Sequence, residues 1–120
     1  MIAIFLEAMA EGLETIVYGD GSQTRDFVHV DDIVSAALAS FGSGGVFNVG
    51  SGVETSIAEL HARCRAVTGT EQPPRIEPAR EGDVLRSALD ISRIEQDLGW
   101  RPQVSLDDGL RRTWDWIRAS

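Results

Sequence analysis

Glycine closes nearly every periodic segment of this 120-residue chain, which confines it to short helices joined to short strands. Ile2, Phe5, Leu6 and Met9 recur at helical spacing, and Gly12 stands where that helix would end. Residues 13–18, LETIVY, read as a strand and lead into the turn Gly19-Asp20-Gly21. In RDFVHV, Arg25, Phe27 and His29 alternate with Asp26, Val28 and Val30. That pattern predicts a second strand, with Arg and His on one face and two valines on the other. Asp31 or Asp32 is placed to cap a helix through Ile33, Val34, Ala37, Leu38 and Phe41, ended by Gly42-Ser43-Gly44-Gly45. VFNV at 46–49 reads as a short strand broken by Gly50 and Gly52.

Ser56 and Glu59 form a capping-box pattern ahead of Ile57, Leu60, Cys64 and Val67, which share one helical face up to Gly69. The segment 71–86 holds three of the four prolines and reads as extended chain or loop. Asp90 is placed to cap a short helix using Ile91, Ile94 and Leu98, stopped by Gly99 and Pro102. Ser105 and Asp108 open a last helix whose stripe is Leu106, Leu110, Trp114 and Ile117. The expected class is therefore α/β: short strands with packed helices, as a small layer or a piece of a larger sheet.

A hydrophobic content of 42% fits a globular chain, and the apolar runs are far too short to span a membrane. The start of the chain lacks the pattern of a secretory signal, so the expected location is cytoplasmic. A net charge of −8 argues against nucleic acid as a partner. All 11 basic residues are arginine, so any mechanism that needs a lysine side chain cannot be completed within these residues. Cys64 falls on an apolar helix face and reads as a buried structural thiol. His29 and His61 have no metal-ligand spacing, and no metal site is expected. Asp31-Asp32 and Asp107-Asp108 suit helix N-termini, and Trp100, Trp114 and Trp116 suit packing.

Two arginines are placed for binding. Arg25 follows a glycine turn, and Arg80 stands in Ala79-Arg80-Glu81-Gly82-Asp83. Each has a neighbouring acid that could orient its guanidinium. Together they could clamp a diphosphate, since each offers paired N–H donors matched to phosphate oxygens. The same placement also suits two Arg–Asp pairs that only staple loops. Gly19-x-Gly21 and Gly50-x-Gly52 are each half of a dinucleotide fingerprint and read as turns. Tyr18 suits either a stacking contact with a base or a place in the core, the latter being the ordinary use of a tyrosine beside a strand.

Several stretches, in order, resemble the nucleotide-diphosphate-sugar epimerases and dehydratases of the extended short-chain dehydrogenase/reductase group, nearest to UDP-glucose 4-epimerase-like members. They are IAIFLEAMAEG, VYGDGSQTRDFVHVDDIV, VFNVGSGVETSIAEL, the Arg80-Glu81-Gly82-Asp83 box, ALDIS at 88–92, LGWRPQVSLDDGL and TWDWI. The resemblance covers the C-terminal, substrate-binding part of such an enzyme. The family's N-terminal Rossmann domain carries a GxxGxxG cofactor loop and a Tyr-x-x-x-Lys pair, and neither motif occurs in these 120 residues.

The resemblance implies roles residue by residue. Arg25 and Arg80 correspond to arginines that hold the diphosphate, Asp83 to the acid on the ribose hydroxyls, and Asn48 to an asparagine near the phosphates. Ile16, Val17 and Tyr18 correspond to the segment lining the base pocket, largely through backbone. Phe27 stands where some epimerases have tyrosine. NAD is the cofactor of the full-length family, and none is expected to bind this chain alone. The implied ligand is a nucleotide-diphosphate sugar, UDP-linked in the nearest members. The segment 31–49 is expected to pack on a Rossmann sheet, and without that cover its apolar surface favours self-association. The implied function is the nucleotide-sugar-binding part of a UDP-glucose 4-epimerase-like enzyme, incomplete and inactive alone. A 4,6-dehydratase, a UDP-glucuronate decarboxylase and a non-catalytic module remain open beside it.

Overall fold

Phe5, Leu6 and Met9 stand on one face of α1 (Ile2–Ala10), and all three are buried in the computed structural model, which describes residues 1–119. β1 (Ile16–Tyr18) and β2 (Thr24–Arg25) follow on either side of the glycine turn, then α2 (Val30–Ser40). β3 (Thr55–Ser56) runs directly into α3 (Ile57–Thr68), and β4 (Arg75–Glu77) leads to α4 (Ser92–Leu98) and α5 (Leu106–Ala119). The mixed helix and strand class is the expected one.

Helices α1, α3 and α5 pack mutually, enclosing Leu6, Ile57, Leu60, Cys64 and Leu110. Each such side chain contributes about 1.5–3 kcal/mol by leaving water. Burial pushes the Cys64 thiol up to about 12, so it is an inert packing group. One polar pair shares this interior: Thr15 Oγ1 lies 2.6 Å from His61 Nε2, whose ring meets Phe5 edge-on. Burial, with the nearby Arg65 charge, pushes the His61 imidazole below its ordinary value, so it sits there neutral. A second, smaller core joins Ala36 of α2 to Ile91, Ile94 and Trp100.

The strands form two separate pairs. β1 runs parallel to β4, with Val17 opposite Ile76 and Tyr18 opposite Glu77, while β2 runs antiparallel to β3, with Arg25 opposite Thr55. Several expectations are corrected here. Only 16–18 of the predicted 13–18 strand is paired. The RDFVHV strand shrinks to Thr24–Arg25, because Asp26 leaves the ladder to gather backbone amides, and Val30 starts a helix. VFNV at 46–49 forms no strand: none of the described strands pairs with it. The proline segment is free of helix as expected, and its Arg75–Glu77 pair as β4.

Caps differ too. His29, not Asp31 or Asp32, caps α2 by accepting from the Asp31 amide at 3.0 Å. Asp32 is instead buried, accepting from the amides of Gln103 and Val104 at 2.9 and 3.0 Å, which ties α2 to the approach to α5. Asp90 accepts from the Ser92 amide one step outside α4, whose first flanking residue is Ile91. Ser56 and Ser105 bond the Glu59 and Asp108 amides as expected. Trp100 is buried and Trp114 packs partly buried against the main core, whereas Trp116 is 70% exposed. No helix among the described residues is long and apolar enough to cross a membrane.

The molecule is thin: 17 Å through its shortest direction against 46 and 36 Å in the others. One broad side of α2 and the chain after it carries exposed Val30, Ile33, Val34, Leu38, Phe41 and Val46. At the start of α2 Asp31 pairs with Arg112 at 3.0 Å, and beyond its end Arg93 lies over the Phe47 ring, 5.2 Å from the centroid.

Candidate functional site

The glycine turn brings the two halves of the site together. Gly21 O accepts from Ala58 N at 2.9 Å and Gln23 O from Ile57 N at 3.0 Å, seating the start of α3 on the turn between β1 and β2. On the other side, Gly19 N donates to Glu77 O at 2.8 Å, so the chain leaving β4 passes beside Tyr18. The result is a cleft of about 430 Å³. Its apolar walls are Met1, Ile4, Phe5, Ile16, Val17 and Ile57, and its polar groups are Tyr18, Gln23, Arg25, Arg80 and Asp83.

Arg25 is fixed by three partners. It donates from Nη1 to Thr24 O and Val84 O at 2.6 and 2.7 Å, and from Nη2 to Asp83 Oδ1 at 2.7 Å. Its sequence neighbour Asp26 does not orient it, contrary to expectation, because adjacent side chains on extended backbone point opposite ways. Arg80 likewise has no described ion pair with Glu81; its guanidinium lies over the Tyr18 ring, 3.9 Å from the centroid. Residues 80–83 form a turn closed by Asp83 N donating to Arg80 O at 3.3 Å, with Gly82 supplying a φ of +77°.

The stretch after this turn is stapled along β2. Thr24 N donates to Leu85 O, Ser87 N donates to Thr24 Oγ1, and Arg86 makes a two-pronged contact with Glu54 at 2.7 and 3.1 Å. The Arg86 hydrogen bond holds the Glu54 carboxyl below its usual range. Asp26 is the anchor of the far end, accepting from Ser51 Oγ, Ser51 N, Gly52 N and Leu89 N at 2.6–3.2 Å. Burial pushes the Asp26 carboxyl up, but these four donors outweigh it and hold it below the usual carboxylate range. Side chains outside the cleft thus add to Arg25 in ordering the site loops.

Of the residues singled out in the sequence, Arg25, Arg80, Asp83 and Tyr18 line this one cleft. Asn48 does not; it is exposed and donates to Asp90 O at 3.4 Å. Tyr18 is half-buried at the cleft and absent from the core, which corrects its ordinary reading. Phe27 packs partly buried against the main core. Gln23 was missed: its Nε2 donates to Tyr18 O at 3.1 Å, and its spacing of two from Arg25 was the available signal. The glycine pairs are closely approached by protein atoms. A Cβ on Gly19, Gly21 or Gly52 would meet Ala79, Ala58 or Ile91 at 2.9–3.3 Å.

Two guanidiniums and a carboxylate thus meet around one apolar cleft on this thin α/β layer. A sequence description of GDP-mannose 4,6 dehydratase matches residues 1–113, and the chain belongs to that family. It is 46% identical over 121 residues to UDP-glucose 4-epimerase of Mycolicibacterium smegmatis, covering 98% of this chain and 39% of that protein. The crystal structure of UDP-glucose 4-epimerase with UDP-glucose from Thermotoga maritima superposes with a TM-score of 0.94 at 41% identity, covering 98% of this chain and 39% of that one. The UDP-glucose 4-epimerase of Thermus thermophilus in complex with NAD gives 0.86 at 35% identity, covering 99% and 40%. The chain therefore spans about two fifths of the length of these relatives, corresponding to a C-terminal part.

Proposed function

We propose that this chain is the nucleotide-diphosphate-sugar-binding part of an NAD-dependent UDP-glucose 4-epimerase-like enzyme. The observation that carries the reading is the gathering of Arg25, Arg80 and Asp83 with the edge of β1 around one cleft. Arg25 and Arg80 hold the diphosphate through paired N–H donors, and Asp83 accepts from the ribose hydroxyls with the oxygen that Arg25 leaves free. Ile16, Val17 and Tyr18 receive the base along their backbone. Asn48 is assigned to the phosphates by its place in FNVG alone, since it lies outside the cleft.

In such an enzyme the hydride chemistry at the sugar would be supplied by NAD, and these residues would do the holding and positioning. Binding is therefore what tests the reading. In calorimetry on the whole protein, Arg80→Ala is expected to weaken UDP by roughly tenfold, as loss of one charge-assisted contact would. Unchanged affinity would reject the role. The 4,6-dehydratase reading shares this cleft and differs only in the reaction.

The apolar face of α2 takes its cover from the rest of an epimerase-length chain. Expressed as these 120 residues alone, the protein is expected to self-associate through it, at about 25 cal/mol per Å² of apolar surface covered. Light scattering should give a mass above one chain, falling to the monomer in Leu38→Glu. A wild-type monomer at high concentration would reject the surface as a contact.

A further inference from the structure

The geometry points to the ring of Tyr18 as the platform that positions Arg80 for the diphosphate, instead of a stacking partner for the base. The assignment rests on the reading of the cleft given above and deepens it. A guanidinium 3.9 Å from the ring centroid is in direct stacking contact and covers that ring face, which a base cannot then occupy. Arg25 is oriented by three polar partners, whereas among the described residues no carboxylate pairs with Arg80. The ring is its orienting contact.

The platform is the better-fixed member of the two. Tyr18 belongs to β1, is paired opposite Glu77, and has its carbonyl held by Gln23. Arg80 belongs to an exposed turn. A long side chain on such a turn loses rotamer freedom when it grips a phosphate, and prior stacking removes part of that loss. Tyr18 is thus a positioning residue whose backbone and ring have separate tasks: the backbone serves the base, the ring serves the arginine.

The two uses of the ring separate by ligand. UDP carries the diphosphate that Arg80 grips, and uridine does not. Binding of both to the whole protein is measured by calorimetry or titration NMR, for wild type, Tyr18→Phe, Tyr18→Leu, Arg80→Ala and the Tyr18→Leu/Arg80→Ala pair. Tyr18→Phe keeps the ring and is expected to bind both ligands within about twofold of wild type. Tyr18→Leu is expected to weaken UDP roughly five- to tenfold and uridine less than about twofold, with no further loss of UDP affinity when added to Arg80→Ala. Equal losses for UDP and uridine, or losses that multiply in the double variant, would overturn the platform while leaving the cleft as the nucleotide site. UDP that fails to bind wild type would overturn both.

Discussion

Arg25→Ala is expected to lower UDP affinity by roughly 100-fold or more and to release residues 83–86 to amide exchange in the same protein. The size follows from the number of tasks on one side chain. Arg25 bridges Asp83, Val84 O and Thr24 O, so its removal takes away one of the two proposed phosphate ligands and unpins the loop that carries the other site groups. Arg25→Lys restores the charge but not the geometry. An ammonium is a compact point donor on a flexible stem, whereas the guanidinium reaches three acceptors in one plane. It should recover little of the affinity and little of the protection. If exchange rises while UDP binding is kept, Arg25 is a loop staple only, and the diphosphate reading fails at that residue.

Gly21→Val is expected to cost about 3–4 kcal/mol of stability, a large share of what a domain of this size has. Two causes act together. The residue has φ +75°, which a β-branched side chain adopts only under strain, and its Cβ would come within 2.9 Å of Ala58 Cβ and 3.1 Å of Ala58 N. The backbone there has nowhere to retreat, since Gly21 O and Ala58 N are hydrogen-bonded. Gly42→Val separates the two causes. Its φ of +80° carries the same conformational strain, but no atom lies within 4 Å of its Cβ, so only about 1–2 kcal/mol should be lost. Chemical denaturation of the two variants side by side gives the comparison. Equal losses would mean that the seat of α3 on the turn is softer than the contact distances imply.

What the sequence made legible was whatever is written locally. The stripes of α1, α3 and α5 fall where their apolar spacing puts them, and Ser56 and Ser105 cap as their patterns require. The cleft was legible as residue types in order, through resemblance, but not as an assembly. Arg25 is paired with Asp83, 58 positions away, and not with the acid beside it. That choice depends on which side of an extended segment each side chain takes, and the alternation was there to be read. The β2–β3 pair could not be seen, because two residues a side carry no periodicity. Asp32 looked like a cap because its position allowed it. It became a buried tie between α2 and the approach to α5 because two amides from residues 103 and 104 reach it first. VFNV has the composition of a strand, but a ladder needs a second chain segment, and composition does not supply one.

The parallel register of β1 with β4 also sets an order of events. Tyr18 and Glu77 are opposite one another across a loop that contains β2, α2, β3 and α3, so that loop must close before the ring and Arg80 can meet. Contacts of such long reach form late, after local helices have condensed. A chain emerging during synthesis therefore lacks the cleft proposed for the nucleotide until its residues near 83 have been made and folded back. Ligand occupancy then rewards completed folding and no earlier stage, and nucleotide added during refolding should raise the final yield without hastening the first collapse.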